Sequence, residues 1–219
     1  MYVRDIMTTN VVTIPSNTSI ADAKRIMTAH RIERLPVVDK GKLVGIVTAG
    51  LLEQVSPSKA TSLTVWELSY LLEKTTVKEI MEKNVITATP DMTVEEALAT
   101  SQGNKVGSLV VLDDSRVAGI VTTNDFFYKI VNPILGVAKG GALLPGMRIE
   151  VSGGGEGKAI EEIISTINKL GIKIDNLHIF TPEEATKKDA ILHLQCEDES
   201  QLVNELKKKG YSITVRKRC

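Results

Sequence analysis

The phrase GIVTTNDF, residues 119–126, sets a threonine, Thr122, three positions ahead of an aspartate, Asp125, behind a run of strand-forming residues. Two kinds of chemistry fit that spacing at a strand-to-helix junction. As a helix cap, the Thr122 oxygen accepts the N–H three residues on and Asp125 in the first turn suits the macrodipole, together for about 1 kcal/mol. As a ligand site, the helix N–H groups and the Thr122 hydroxyl face a phosphate, while the Asp125 carboxylate accepts hydrogen bonds from both hydroxyls of a ribose. An earlier phrase, GIVTAGLL at residues 45–52, keeps the threonine as Thr48 but has Leu51 where the aspartate would stand. Leucine offers neither charge nor acceptor, so the two phrases differ in the atoms that the second chemistry needs.

Other chemistry finds no foothold in the sequence. The histidines, His30, His178 and His193, have no nearby Ser or Cys in a nucleophile context, and no carboxylate pair sits in a glycosidase or metal phrase. No catalytic residue is expected, and the chain is read as a non-enzyme. Cys196 and Cys219 form no C-x-x-C pair and no cluster at zinc spacing, so neither a disulfide framework nor a metal site is expected. The glycine cluster GGGEGKA, residues 153–159, lies between a strand and a helix, where phosphate loops sit. It fails as a P-loop, which needs glycine at Ser152 and Ser or Thr at Ala159, and as a dinucleotide fingerprint, which needs glycine at Lys158. A flexible turn and a small-ligand loop both remain open there.

The elements that must position these residues come from an internal repeat. Laying Val3 on Val77 aligns VRDIMTTNVVTI with VKEIMEKNVITA, SIADA with TVEEA, and LPVVDKGKLVGIVT with LVVLDDSRVAGIVT, without a gap. Each copy reads as an extended segment (11–14; 85–88), then a helix opened by Ser19-x-x-Asp22 or Thr93-x-x-Glu96. Two strands follow, at 35–38 and 43–47 or 109–112 and 117–121, joined by polar turns, and a last helix begins after Thr48 or Thr122. A βαββα unit of this size cannot cover its own sheet, so the two repeats are expected to pack sheet on sheet about a pseudo-twofold axis and form two related clefts. Beyond a Pro/Gly-rich linker the remaining third reads strand GMRIEVS, helix KAIEEIISTINKL, strand IKIDNLHIF, strand AILHLQC, helix ESQLVNELKKK and strand YSITVRK. That βαββαβ order predicts a ferredoxin-like antiparallel sheet with both helices on one face. Alternation puts Leu177, Ile179, Ala190, Leu192 and Leu194 toward the helices and His178, Phe180, Ile191 and His193 on the open face, where Phe180 and Ile191 invite a second subunit.

Paired copies of the DIM, LPVVD and GIVT phrases resemble a tandem cystathionine-β-synthase (CBS) pair, or Bateman module, over residues 1–131. The stretch 56–74, with a Thr64-x-x-Glu67 capping box, is similar to the linker helix of acetoin-utilisation AcuB-type proteins, which join a CBS pair to an ACT-like domain. The resemblance implies an α+β chain: CBS repeat 1 at 1–55, a linker helix at 56–74, CBS repeat 2 at 75–131, a linker at 132–146 and a ferredoxin-like, ACT-type domain at 147–219. It also implies an adenine nucleotide (AMP, ADP or ATP) or S-adenosylmethionine as a regulatory ligand, with no catalytic cofactor. Asp125, Thr122 and Asn124 would hold ribose and phosphate. Adenine would lie against Thr87, Ala88 and Thr89 and along Val106, Gly107 and Leu109. A basic residue before one repeat's LPVVD strand reaches the other repeat's phosphate in such modules; Arg34 stands there in the first repeat and Ser108 in the second. The Asp125 cleft thus keeps both halves of a site, and the cleft of Thr48, Thr13 and Leu51 has lost both. His30 and Arg31 can add charge to the same cleft or simply suit the helix dipole.

Composition is consistent with these expectations. The 219 residues are 42% hydrophobic and 25% charged, enough for a substantial core. With 27 basic and 27 acidic side chains the formal charge is zero, and the basic runs 207–209 and 216–218 read as solvated ends of elements; no nucleic-acid partner is expected. No apolar run is long enough to span a bilayer and the start MYVRDIM lacks a signal peptide's regions, so a cytoplasmic protein without membrane association is expected. Three functions stay open in order: a nucleotide sensor acting on an unidentified enzyme or regulator, a dimerising adaptor with empty clefts, and a DNA-binding regulator, which lacks a helix-turn-helix phrase. A homodimer through the CBS and ACT-like parts is expected in the first two.

Overall fold

A computed structural model describes residues 1–55, 64–183 and 186–218. Residues 56–63 of the expected linker lie outside the described residues. The chain divides into two compact units, Met1–Phe126 and Phe127–Cys219.

In the first unit the repeat becomes two sets of matching elements: α1 (Val3–Ile6), α2 (Ile20–His30), β1 (Arg34–Asp39), β2 (Lys42–Thr48) and α3 (Ala49–Gln54), then α5 (Val77–Ile80), β3 (Thr87–Ala88), α6 (Val94–Gly103), β4 (Ser108–Asp113), β5 (Arg116–Thr122) and α7 (Thr123–Phe126). The linker helix α4 (Val65–Lys74) stands between them, opened by the expected Thr64–Glu67 capping box. Ser19 accepts from the Asp22 N–H to start α2, and Thr93 and Glu96 satisfy each other's backbone donors to start α6, as their spacing predicts. The hairpins β1–β2 and β4–β5 turn over two residues each, Lys40-Gly41 and Asp114-Ser115, all at positive φ, which suits the right-handed twist of the flanking strands. Of the two extended segments, only the second forms a strand, β3, parallel to β4; the first makes a single bridge, Ile14 to Val37.

The DIM phrases, expected only as repeat markers, form one-turn helices that each pack on the opposite repeat. Thr8 pairs with Ile120 of the second repeat, and Glu82 pairs with Ile46 of the first. The Val3 N–H donates to the Met92 carbonyl at 2.9 Å, and the Val77 N–H donates to that of Thr18 at 2.8 Å. Glycines in the GIVT strands make room for this exchange. A Cβ on Gly45 would lie 2.6 Å from the Met81 sulfur, and one on Gly119 would lie 2.6 Å from the Met7 sulfur. The first repeat's core gathers Ile14, Ile20, Leu35, Val37, Val47 and Leu52 with Val77 from the second. Each such aliphatic side chain stabilises the fold by about 1.5–3 kcal/mol.

The second unit opens with a π-helical turn, Phe127–Val131, and α8 (Asn132–Leu135), then β6 (Gly146–Ser152), α9 (Gly157–Lys169), β7 (Lys173–Phe180), β8 (Asp189–Gln195), α10 (Ser200–Lys208) and β9 (Ser212–Arg218). The antiparallel order β7-β8-β6-β9 is the ferredoxin-like arrangement expected from the βαββαβ pattern. Ile163, Ile167, Leu202 and Leu206 of the helices bury against Met147, Ile149, Val151, Ala190, Leu192 and Leu194 of one sheet face.

Three expectations change here. Residues 132–146 are not a bare linker: Arg218, itself buried, donates to the carbonyls of Leu135 and Gly136, and Leu135 and Leu143 line a cavity with Ile191 and His193. Under that cover Ile191 and His193 are buried on the face expected to lie open, whereas Phe180 remains 54% exposed. Ile179 is 48% exposed because β7 is the sheet's edge strand. Packing requires two glycines of the 153–157 loop, since Cβ atoms on Gly154 and Gly155 would come within 3 Å of Ile163 and Val151, or of Lys188 and Ile179, while Gly153 sits at positive φ.

Candidate functional site

At the end of β5 the Thr122 N–H and hydroxyl both donate to Asp125 Oδ2, at 2.9 and 2.7 Å, while the Asp125 N–H reaches back to the Thr122 oxygen at 3.4 Å. This is a capping box around a half-buried carboxylate. At the end of β2 the Thr48 oxygen accepts from the Leu51 N–H at 3.2 Å. The cap therefore survives in both repeats, and what the first lacks is the carboxylate.

Arg34 stands directly opposite Thr48 in its own hairpin, as Ser108 stands opposite Thr122. Its guanidinium nevertheless reaches the other repeat. A Cβ on Gly107 would lie 2.8 Å from Arg34 Nη2 and 3.5 Å from Thr123 Oγ1, and the Gly107 carbonyl accepts from both the Thr123 N–H and hydroxyl. The cation thus rests against Gly107, the residue whose carbonyl anchors the first residue of α7. Glu33, 3.7 Å away and largely exposed, is a weak ion-pair partner.

Around Arg34 opens a cavity of about 320 Å³. It is lined from the first repeat by Glu33, Ile46 and Thr48 to Gly50, and from the second by Glu82, Asn84 to Ile86 and Lys105 to Ser108. Of the residues singled out in the sequence, the cavity gathers Arg34, Thr48, Val106, Gly107 and Ser108. Thr122, Asn124 and Asp125 stand at the end of the other hairpin, outside its lining, as do Thr87, Ala88, Thr89, Thr13 and Leu51. Ala88 and Leu109 are buried core residues, so their side chains serve packing. His30 and Arg31, both exposed at the end of α2, do not line the cavity either.

Sequence reasoning missed Glu82, Asn84 and Lys105. Glu82 comes to the cleft through its pairing with Ile46 of the opposite repeat, a contact for which the repeat alignment holds no signal. Lys105 sits at positive φ just after α6, where a helix end can be read but its direction cannot. Two cations and two carboxylates, with an apolar wall from Val85, Ile86 and Val106, suit a ligand with an anionic end, hydrogen-bonding hydroxyls and a flat apolar body. Among the described residues no cluster of His, Cys, Asp or Glu could hold a metal ion, and no helix is long and apolar enough to cross a membrane.

The CBS-domain family model matches residues 3–51 and 77–132, one segment for each repeat. The L-aspartate semialdehyde sulfurtransferase of Methanocaldococcus jannaschii is 40% identical over 127 residues, which is 56% of this chain and 22% of that protein. The chain spans less than a quarter of the length of that relative, so the likeness lies in one part of a larger enzyme. Among solved structures, AcuB of Vibrio cholerae, assigned to acetoin utilization, is 30% identical, with 60% of this chain and 91% of that chain covered and a TM-score of 0.50. The CBS domain pair of protein MJ0100, solved in complex with 5′-methylthioadenosine and S-adenosyl-L-methionine, is 35% identical, with 57% and 92% covered and a TM-score of 0.48.

Proposed function

This chain belongs to the CBS-domain family, whose pairs are regulatory, ligand-binding modules, and from that premise we propose that its pair senses an adenine nucleotide and signals to a partner protein. The ligand is AMP, ADP, ATP or S-adenosylmethionine. Asp125 holds the ribose, Thr122, Asn124 and the α7 N-terminus hold the phosphate with Arg34, and the backbone of Thr87 to Thr89 and Val106 to Leu109 frames the adenine. The observation that carries this reading is the position of the Arg34 guanidinium, which leaves its own hairpin to lie against Gly107 of the other repeat, the residue whose carbonyl holds Thr123 at the start of α7. A carboxylate accepts about four hydrogen bonds, so a ribose diol can join or replace the Thr122 cap on Asp125.

Binding across both repeats would bias the angle between them, a coupling of ~1–3 kcal/mol and a change of roughly 5- to 150-fold in a partner's affinity. The chain acts as a homodimer on an unidentified enzyme or regulator. A place in acetoin or related carbon metabolism is the pathway that the likeness to AcuB suggests.

Calorimetry with the four ligands tests the reading. Wild type is expected to bind at least one, Asp125→Ala to weaken binding by about 2–4 kcal/mol, and Leu51→Ala to change little. Failure of all four ligands would overturn it in favour of an adaptor with empty clefts. The cavity beside Thr48 supports a second reading, in which the nucleotide sits there with its phosphate on Arg34 and Lys105. In that case Arg34→Ala and Lys105→Ala abolish binding while Asp125→Ala leaves it intact.

A further inference from the structure

The sheet of the second unit packs one face on α9 and α10, and the other face carries a lateral row of polar groups. In register across the four strands stand Asn176 on β7, His193 on β8, Arg148 on β6 and Arg216 on β9. Arg148 and Arg216 are direct partners on neighbouring strands, and like charges placed opposite each other destabilise a sheet. Glu150 pairs with Arg148 at 2.8 Å, one carboxylate among several cations. Arg218 on the same rim is already engaged with the carbonyls of Leu135 and Gly136. The register thus sets Arg148 and Arg216 side by side with Arg148 paired to Glu150, and an anion between the two arginines would relieve the like-charge pairing that remains.

Of these groups Arg148, Glu150, Arg216 and Arg218 line a cavity of about 480 Å³, within the usual range for small-molecule sites. Lys217 and His178 complete its polar side, and an apolar wall comes from Leu135, Leu143, Phe180 and Ile191. His193 also lines it, 4% exposed, and its Nδ1 is buried without a hydrogen-bond partner among the described residues. Burial, and then the charge of Arg218, hold this imidazole at a pKa of about 4, so the ring is neutral at pH 7. An unsatisfied buried nitrogen is unfavourable, and a molecule entering the cavity, or the ring shift it causes, can satisfy it.

We propose that this cavity binds a small organic monocarboxylate, its carboxylate between the guanidinium groups of Arg148 and Arg216 and its apolar body against Phe180, Ile191 and Leu143. The planar guanidinium fork matches a carboxylate through two parallel N–H···O bonds. The apolar wall selects an organic body over a bare inorganic anion.

The test is calorimetry on the full chain with benzoate and butyrate, beside inorganic phosphate and uncharged benzamide, together with thermal unfolding of Arg216→Gln. Benzoate or butyrate is expected to bind at least tenfold more tightly than phosphate or benzamide. Arg216→Gln is expected to raise the unfolding temperature of the ligand-free chain, by relieving repulsion, and to lower carboxylate affinity at least tenfold. Equal affinity for benzoate and phosphate would reduce the cavity to a general electrostatic patch and overturn the proposal. An Arg216→Gln chain that unfolds at lower temperature with unchanged benzoate affinity would do the same. So would an absence of carboxylate binding by the wild-type chain together with dissociation of its dimer on Phe180→Ser, since the face would then be a subunit interface.

Discussion

Asp125 and Leu51 hold equivalent places in two copies of one phrase, and their difference bears on stability as well as on the proposed binding. Asp125 accepts from the Thr122 N–H and hydroxyl, so Asp125→Ala is expected to cost about 1 kcal/mol in urea unfolding even without nucleotide. His193 supplies a second prediction at this scale. Burial and Arg218 lower its folded pKa to about 4 from the ordinary 6.5, so between those values the unfolded chain binds a proton that the folded chain does not. The contribution is therefore fully present above pH 6.5 and is lost as pH falls toward 4, for a total on the order of 3 kcal/mol. Urea midpoints at pH 7 and pH 4.5 are expected to differ less in His193→Leu than in wild type. Thr122, Asp125 and their cap were legible in the sequence because each partner lies within one turn of the other. The buried state of His193 was not, because its cover comes from residues 132–146, distant in sequence and without an alternating pattern.

At the scale of elements, the exchange of DIM helices between repeats makes the glycines of the GIVT strands intolerant of a methyl group. Gly45→Ala and Gly119→Ala would each push a Cβ against a methionine sulfur and the neighbouring carbonyl of Glu82 or Thr8, and are each expected to destabilise the first unit by about 1–3 kcal/mol in chemical unfolding. Met81→Ala in the Gly45→Ala background is expected to recover part of that loss, since it removes the side chain in the way. The strands and capped helices themselves were legible: Ser19, Thr64 and Thr93 begin helices where their spacing with Asp22, Glu67 and Glu96 predicts. The one-turn helices α1 and α5 were not, because four residues give too little periodicity to read.

At the scale of the whole molecule, the chain holds separate cores, one around Leu35, Val47 and Val77 and another around Ile149, Ile167, Leu192 and Leu206, on the two sides of the Phe126–Phe127 boundary. Residues 1–126 expressed alone are expected to unfold in one cooperative transition by circular dichroism and to keep the nucleotide affinity of the full chain, because every residue assigned to that site lies within them. Sequence alone determined the duplication, the βαββαβ order of the second unit and the loss of an acidic residue at Leu51, since these rest on residue type and on spacing along the chain. Tertiary structure decided which residues share a cleft. Arg34 lies opposite Thr48 yet reaches Gly107 of the other repeat, Glu82 joins the first repeat through Ile46, and residues 132–146 cover the sheet that sequence left open. Contacts of that kind depend on the direction a chain takes after a turn, which composition and periodicity do not encode.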